Sequence, residues 1–121
     1  MAALEGVGGM PEIDRRDLVG SVLDEAKELG REGAAHGTAV LAASQKAGRT
    51  RAGHVWHSPE GGIYLGVVLR PQVPMHFLNG LVPVCCLGVA DALYAMGADV
   101  AAKWPDDVVA GDPGHERKLA S

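Results

Sequence analysis

Apolar positions recur along this chain first at helical and then at strand spacing, and the changes of period mark its elements. Residues 21–32 place Leu23, Ala26 and Leu29 at helical intervals among charged residues, which predicts an amphipathic helix. Ser21 and Asp24 have capping-box spacing, with Asp in place of the usual Glu or Gln, and Gly33 is a natural stop. Residues 38–43 (TAVLAA) form a short apolar run, predicted as a buried strand. Residues 44–59 have no apolar period and contain Gly48 and Gly53, so they read as a long loop, a kind usually functional or mobile. Residues 62–70 predict a strand with Ile63, Leu65, Val67 and Leu69 on one face and Tyr64 and Val68 on the other. Pro71 and Pro74 end it. Residues 78–96 predict a helix whose stripe is Leu78, Leu81, Cys85, Val89, Ala92 and Met96. Pro83 moves its start close to Val82, and Gly97 stops it. Short strands are expected over 100–103 and 107–110, then a turn over 111–114, and Lys118-Leu119-Ala120 opens a further element. Residues 1–13 are expected to form a flexible tail and 14–121 a single region of mixed α/β character.

Composition narrows this picture. At 121 residues with 47% apolar content, the chain has room for one modest core and is too apolar for disorder. A net charge of −4 argues against a general nucleic-acid binder. The charge is uneven: no Asp or Glu lies between Glu32 and Glu60, while that window holds Lys46, Arg49 and Arg51 with His36, His54 and His57. A locally basic stretch in an acidic chain suits a small anionic ligand. The two cysteines, Cys85 and Cys86, are adjacent and read as buried small side chains in a reducing, cytoplasmic setting. No leader peptide and no membrane-spanning stretch is expected. The histidines show no grouping with cysteine that would hold a metal.

Two segments carry candidate chemistry. In residues 44–59, glycines let backbone approach a ligand, arginines offer rigid forks for phosphate oxygens, and Trp56 offers a flat face for a base. The same composition also fits a solvated basic turn with Trp56 tucked into the core. In Lys103-Trp104-Pro105-Asp106-Asp107, Lys103 stands at a strand end, where α/β sheets often place ligand contacts. The two carboxylates there suit Mg²⁺, although Pro and Asp equally make an ordinary turn.

Read in order, the segments become specific. Gly48-Arg49-Thr50-Arg51-Ala52-Gly53-His54-Val55-Trp56 resembles the GRGRRGRxW signature of biotin protein ligases. Ser58-Pro59, Gly62 and Leu69-Arg70-Pro71 are similar to that family's SPxGG and LRP patterns. Lys103 to Asp107 resembles KWPND, and Lys118-Leu119-Ala120 the start of KLAG. The likeness runs from about Ser21 to Ala120. It implies a biotin/lipoate ligase-type catalytic domain, with a mixed β-sheet and helices packed on one face. It implies ATP-dependent biotinylation of a carrier-protein lysine through biotinyl-5′-adenylate, with biotin, ATP and Mg²⁺ required and biotin carboxyl carrier protein as acceptor. By the same resemblance, Arg51, Lys103 and Lys118 serve catalysis. Ser21, Gln45, Gly48, Arg51 and Lys118 line biotin, and Arg49, Arg51, Trp56, Lys103 and Asp106 meet the nucleotide.

The sequence also departs from the family pattern. Thr50 and Ala52 replace a glycine and an arginine, and His54 another arginine. Asp106 stands for Asn, and Val22-Leu23 replaces the Thr-Asn of the DST(N) segment. The resemblance stops at Ser121, short of further strands and a small carboxy-terminal domain, and no DNA-binding winged helix precedes it. The expectation is therefore an amino-terminal catalytic portion cut short. Its alternatives are a non-catalytic remnant or interaction module, and a lipoate-type ligase, which the Arg/Gly loop ending in Trp56 disfavours. Whether the chain forms a homodimer stays open.

Overall fold

The computed structural model describes residues 11–50 and 54–121. The chain divides into two compact units, Met1–Pro71 and Gln72–Ser121, where sequence suggested one undivided region. The class is α/β as expected, with the strands in two three-stranded sheets instead of one.

The first unit runs β1 (Ile13–Val19), α1 (Val22–Arg31), β2 (Ala39–Gln45), β3 (Tyr64–Val67). β1 pairs parallel to β2, with α1 as the crossover, and β2 pairs antiparallel to β3. β1 begins at Ile13, a residue the sequence placed in the tail; the rest of that tail, up to Met10, lies outside the described residues. α1 starts where expected. The Ser21 hydroxyl accepts from the Leu23 amide at 3.2 Å, one residue earlier than a capping box would have it. The helix closes before Gly33, which has φ 92°.

α1 covers the β3 face opposite the Ile63, Leu65, Val67 and Leu69 row. Ile63, Leu65, Val67 and Leu69 are all exposed, while Gly66 and Val68 are buried. The cause is Gly66. A Cβ there would lie 2.4 Å from the Val22 carbonyl oxygen and 3.0 Å from the Ala26 Cβ. The missing side chain thus lets α1 settle on the sheet. Val40, opposite Gly66, and Ala42, opposite Tyr64, complete the buried layer. Arg70 closes the far end of α1. Its Nε donates to the Ala34 carbonyl at 2.7 Å and its Nη2 to the Gly30 carbonyl at 2.8 Å. The arginine of the LRP pattern therefore serves as a helix C-terminal clamp, in the position where a cation best meets the helix dipole.

The second unit begins with a 3₁₀ turn (Met75–Gly80) that leads into α2 (Leu81–Ala95). β4 (Ala101–Lys103), β5 (Asp107–Ala110) and β6 (Arg117–Ala120) follow as an antiparallel meander. Its core is Cys86, Ala90 and Val108, with Leu93, Val100 and Ala120 packed against it. The predicted stripe is displaced: Cys85, Val89, Ala92 and Met96 are exposed. Both cysteines were expected to be buried, but only Cys86 is. α2 is apolar around most of its circumference, so periodicity could not select a face. The membrane expectation is corrected too. Met75–Ala95 is a 21-residue helical run of mean hydropathy 1.6, long and apolar enough to cross a membrane by length and composition. Reading the helix as starting near Val82 hid that length. Cys86 and Ala90 sit in the core of the unit, while only 11% of the apolar window is buried and Val82, Val84, Leu87 and Val89 are exposed.

Candidate active site

The predicted site residues fall in both units, and each set has its own geometry. In the first unit they gather at the amino end of α1, where β1 and β2 both end. The ladder continues past the strands: the Lys46 amide donates to the Val19 carbonyl at 2.9 Å and the Ala47 amide to the Gly20 carbonyl at 2.8 Å. The start of the basic loop is thereby tied beside Ser21.

Ser21 is 2% exposed and its hydroxyl is engaged as the α1 cap. Gln45, the last residue of β2, spends its side chain internally. Its Oε1 accepts from the Val22 amide at 2.8 Å, and its Nε2 donates to the Ser58 hydroxyl at 3.0 Å. Gly48 forms a lone antiparallel bridge with Trp56, which closes the base of the loop. A Cβ on Gly48 would lie 3.0 Å from Ser58 Oγ and 3.1 Å from the Trp56 carbonyl, so glycine suits this close approach. Trp56 is half-buried, and Lys46, His54 and His57 are exposed.

Arg49 is not left open to a phosphate. Its Nε and Nη2 both donate to Asp24 Oδ2, at 3.0 and 2.8 Å. Asp24 and Glu25 occupy the first turn of α1, where carboxylates offset the helix dipole. That end of the helix therefore offers no anion cradle of its own. Glu25 also pairs with Arg16, which Asp14 holds as well. Asp14 first, then Glu25, raises the Arg16 pKa. Arg51, the residue given most weight by the sequence, lies outside the described residues, as do Ala52 and Gly53.

In the second unit, Lys103 ends β4 and is exposed, in register with Asp107. Lys118 Nζ lies 3.1 Å from Asp107 Oδ1. The Ser121 hydroxyl, then the Lys118 ammonium, hold the Asp107 carboxyl below its ordinary value, with a smaller contribution from Lys103. The Asp107 carbonyl accepts from Cys86 Sγ at 3.3 Å. Glu116 also has a lowered pKa. The backbone amides of Glu116 and Gly114 are the main cause, and Lys103 adds to them. Asp106 is half-buried. No group of three or more His, Cys, Asp or Glu is placed to hold a metal among the described residues, and Asp107 is already committed to Lys118.

Sequence reasoning missed Ser58, which is 6% exposed and links Gln45 to the loop; only its place within a matching motif hinted at it. Asp107, read from sequence as a carboxylate suited to Mg²⁺, instead engages the lysine expected to meet phosphate.

A fold of this kind, with a glycine-arginine loop rooted beside a crossover helix, defines a class that comparison makes definite. The model of the biotin/lipoate A/B protein ligase family matches residues 19–121, and the chain belongs to that family. It is 40% identical over 116 residues to the bifunctional ligase/repressor BirA of Escherichia coli, covering 94% of this chain and 33% of that protein. It is 36% identical over 96 residues to BirA of Bacillus spizizenii, covering 78% and 30%. The chain thus spans about a third of the length of these relatives. Among solved structures, the biotin protein ligase of Aquifex aeolicus in complex with biotin and ATP matches with TM-score 0.67 and 33% identity, covering 80% of this chain and 40% of that one. The Leishmania major biotin protein ligase in complex with biotinyl-5-AMP matches with TM-score 0.69 and 27% identity, covering 84% and 53%.

Proposed function

We propose that this chain carries the biotin-activating site of a biotin protein ligase and takes part in biotinylation of a carrier-protein lysine in the cytoplasm. The observation that carries the reading is the closed base of the loop. Gln45 and Gly48 stand at the amino end of α1 with Trp56 bridged across from Gly48, in a family whose solved members bind biotin and ATP.

In the first step a biotin carboxylate oxygen attacks the α-phosphorus of MgATP. The bond to pyrophosphate breaks and biotinyl-5′-adenylate forms. In the second, the unprotonated amine of an acceptor lysine, on a biotin carboxyl carrier protein, attacks the acyl carbon and AMP leaves. No enzyme nucleophile is required, so the protein's contribution is positioning and stabilisation of negative charge. Arg51, Lys103 and Lys118 supply positive charge to the phosphate region, with Arg49 and Asp106 beside the nucleotide. Ser21, Gln45 and Gly48 line biotin, and Trp56 covers the adenine. Magnesium enters with the nucleotide as part of the substrate.

One observation favours a second reading, a binding module of this fold without turnover: Arg49 and Lys118 are each already paired, with Asp24 and Asp107. The deciding experiment incubates the purified chain with biotin and MgATP and follows biotinyl-adenylate and pyrophosphate, with Arg51→Ala alongside and lipoate in place of biotin. Adenylate from biotin that falls about 100-fold or more in the variant supports the ligase reading. Biotin binding with no adenylate from folded chain supports the binding module, and activation of lipoate would move the substrate to the other branch of the family.

A further inference from the structure

We infer that Ser58 is a positioning residue that sets the orientation of the Gln45 carboxamide; the inference rests on the proposed reading of Gln45 only for its effect on biotin. Three hydrogen bonds run in one direction. The Val22 amide donates to Gln45 Oε1 at 2.8 Å, Gln45 Nε2 donates to Ser58 Oγ at 3.0 Å, and Ser58 Oγ donates to the Trp56 carbonyl at 3.4 Å. The ends of this relay are fixed. A backbone N–H can only donate and a carbonyl can only accept. Oε1 must therefore face Val22, Nε2 must face Ser58, and the hydroxyl must turn its proton toward Trp56. Rotating the carboxamide by half a turn would set NH₂ against the Val22 N–H and take the hydroxyl proton from Trp56.

Ser58 is suited to this task. It is 6% exposed, so water does not compete freely for its hydroxyl. Its own carbonyl accepts from the Gln45 amide at 3.1 Å, which sets the two residues side by side. A Cβ on Gly48 would stand 3.0 Å from Ser58 Oγ and 3.2 Å from Gln45 Nε2, so the loop backbone passes directly over the pair. With these bonds made, the carboxamide keeps one N–H and one lone pair unspent. Ser58 thereby fixes where that N–H and that lone pair point, and so what a bound ureido or carboxylate group meets.

The test uses the full chain, with Ser58→Ala to remove the hydroxyl and Ser58→Thr to retain it. Backbone amide exchange is followed at Val22 and Leu23. These neighbours differ in acceptor: Val22 uses Gln45, and Leu23 uses Ser21. Ser58→Ala should speed Val22 exchange about tenfold with Leu23 unchanged, and Ser58→Thr should restore it. An unchanged Val22, or equal acceleration at both amides, overturns the assignment, the latter because it marks general loosening. Should the alanine variant not fold, the parent decides: slowed exchange of a Gln45 side-chain amide proton is expected, and solvent-like exchange overturns the inference. In the ligase reaction Ser58→Ala should raise the KM for biotin about tenfold while kcat stays within about twofold. The Val22 effect in the variants, together with a parent that binds no biotin, leaves Ser58 in its role and removes the ligase reading alone.

Discussion

Both helices pack on three-stranded sheets, but different forces hold them. α1 is short, amphipathic and closed by side chains at both ends: Ser21 and Gln45 accept from its first amides, and Arg70 donates to the Gly30 carbonyl at its last turn. α2 is half as long again, has no side-chain cap, and carries Val82, Val84, Leu87 and Val89 exposed. A side-chain bond to the sheet runs from Cys86 to the Asp107 carbonyl. α1 is thus specified by directional contacts and by one glycine that admits it. α2 is specified by apolar character, which fixes its being a helix but not which way it faces. Two candidate ligand-lining residues, Ser21 and Gln45, cap the start of the specified helix, so their geometry is set by hydrogen bonds.

The sharpest way to break this comparison is to add one methyl group to each unit. At Gly66 a Cβ meets backbone, the Val22 carbonyl at 2.4 Å, whereas at Gly88 in α2 it meets nothing within 4 Å. Gly66→Ala should destabilise by about 3 kcal/mol as α1 is forced off the sheet. Gly88→Ala should stabilise by roughly 0.5–1 kcal/mol, since alanine loses less backbone entropy in a helix. Urea midpoints of the two variants decide the matter. Equal and small shifts would mean that α1 is not held by close approach at Gly66.

These two glycines also mark how far the sequence could be read. The Ser21 cap, the helix stops at Gly33 and Gly97, and β5 were legible because each has a local cause. β1 was not. Its sequence IDRRDLV holds Asp14, Arg15, Arg16 and Asp17 in succession, and it becomes a strand through parallel pairing with β2 and the ion pairs of Arg16. The buried face of β3 was not legible because alternation defines two faces without ranking them, and Gly66, with no side chain, decides between them. In the site, the basic loop and its motifs were legible. The pairing of Arg49 with Asp24, of Lys118 with Asp107, and of Gln45 with Ser58 was not, because each joins residues far apart in sequence.

A middle-sized effect concerns the C-terminal clamp of α1. Arg70→Met keeps an apolar stem but removes both bonds to carbonyls. It should cost about 1–2 kcal/mol, because two charge-assisted donors at a helix C-terminus are lost. Arg31→Ala removes only the exposed pair with Glu28 and should cost under about 0.5 kcal/mol. Thermal unfolding of the two variants ranks them. A reversed order would show that α1 is closed by its own last turn and not by the LRP arginine.

The smallest effect lies in the second unit and depends on pH. Asp107 has its carboxyl lowered by the Ser121 hydroxyl and by Lys118. In that window the folded chain binds fewer protons than the unfolded one. The resulting stabilisation is complete above the ordinary Asp value of about 4 and fades as pH falls through the lowered folded value. Lys118 is about half exposed, at 47%, so screening keeps the gain to about 0.5 kcal/mol. Asp107→Asn should therefore be slightly less stable than the parent at pH 7. The two should converge only once the parent carboxyl is itself protonated, at a pH below the ordinary Asp range because its folded value is lowered. The variant keeps the main-chain carbonyl that Cys86 uses, so packing of α2 on β5 is not disturbed. Urea midpoints of parent and variant, followed from pH 7 downward through the acid range, measure the difference. A gap that stays unchanged down to acid unfolding would mean that Asp107 acts through its shape and hydrogen bonds, and that its ion pair with Lys118 contributes nothing to the fold.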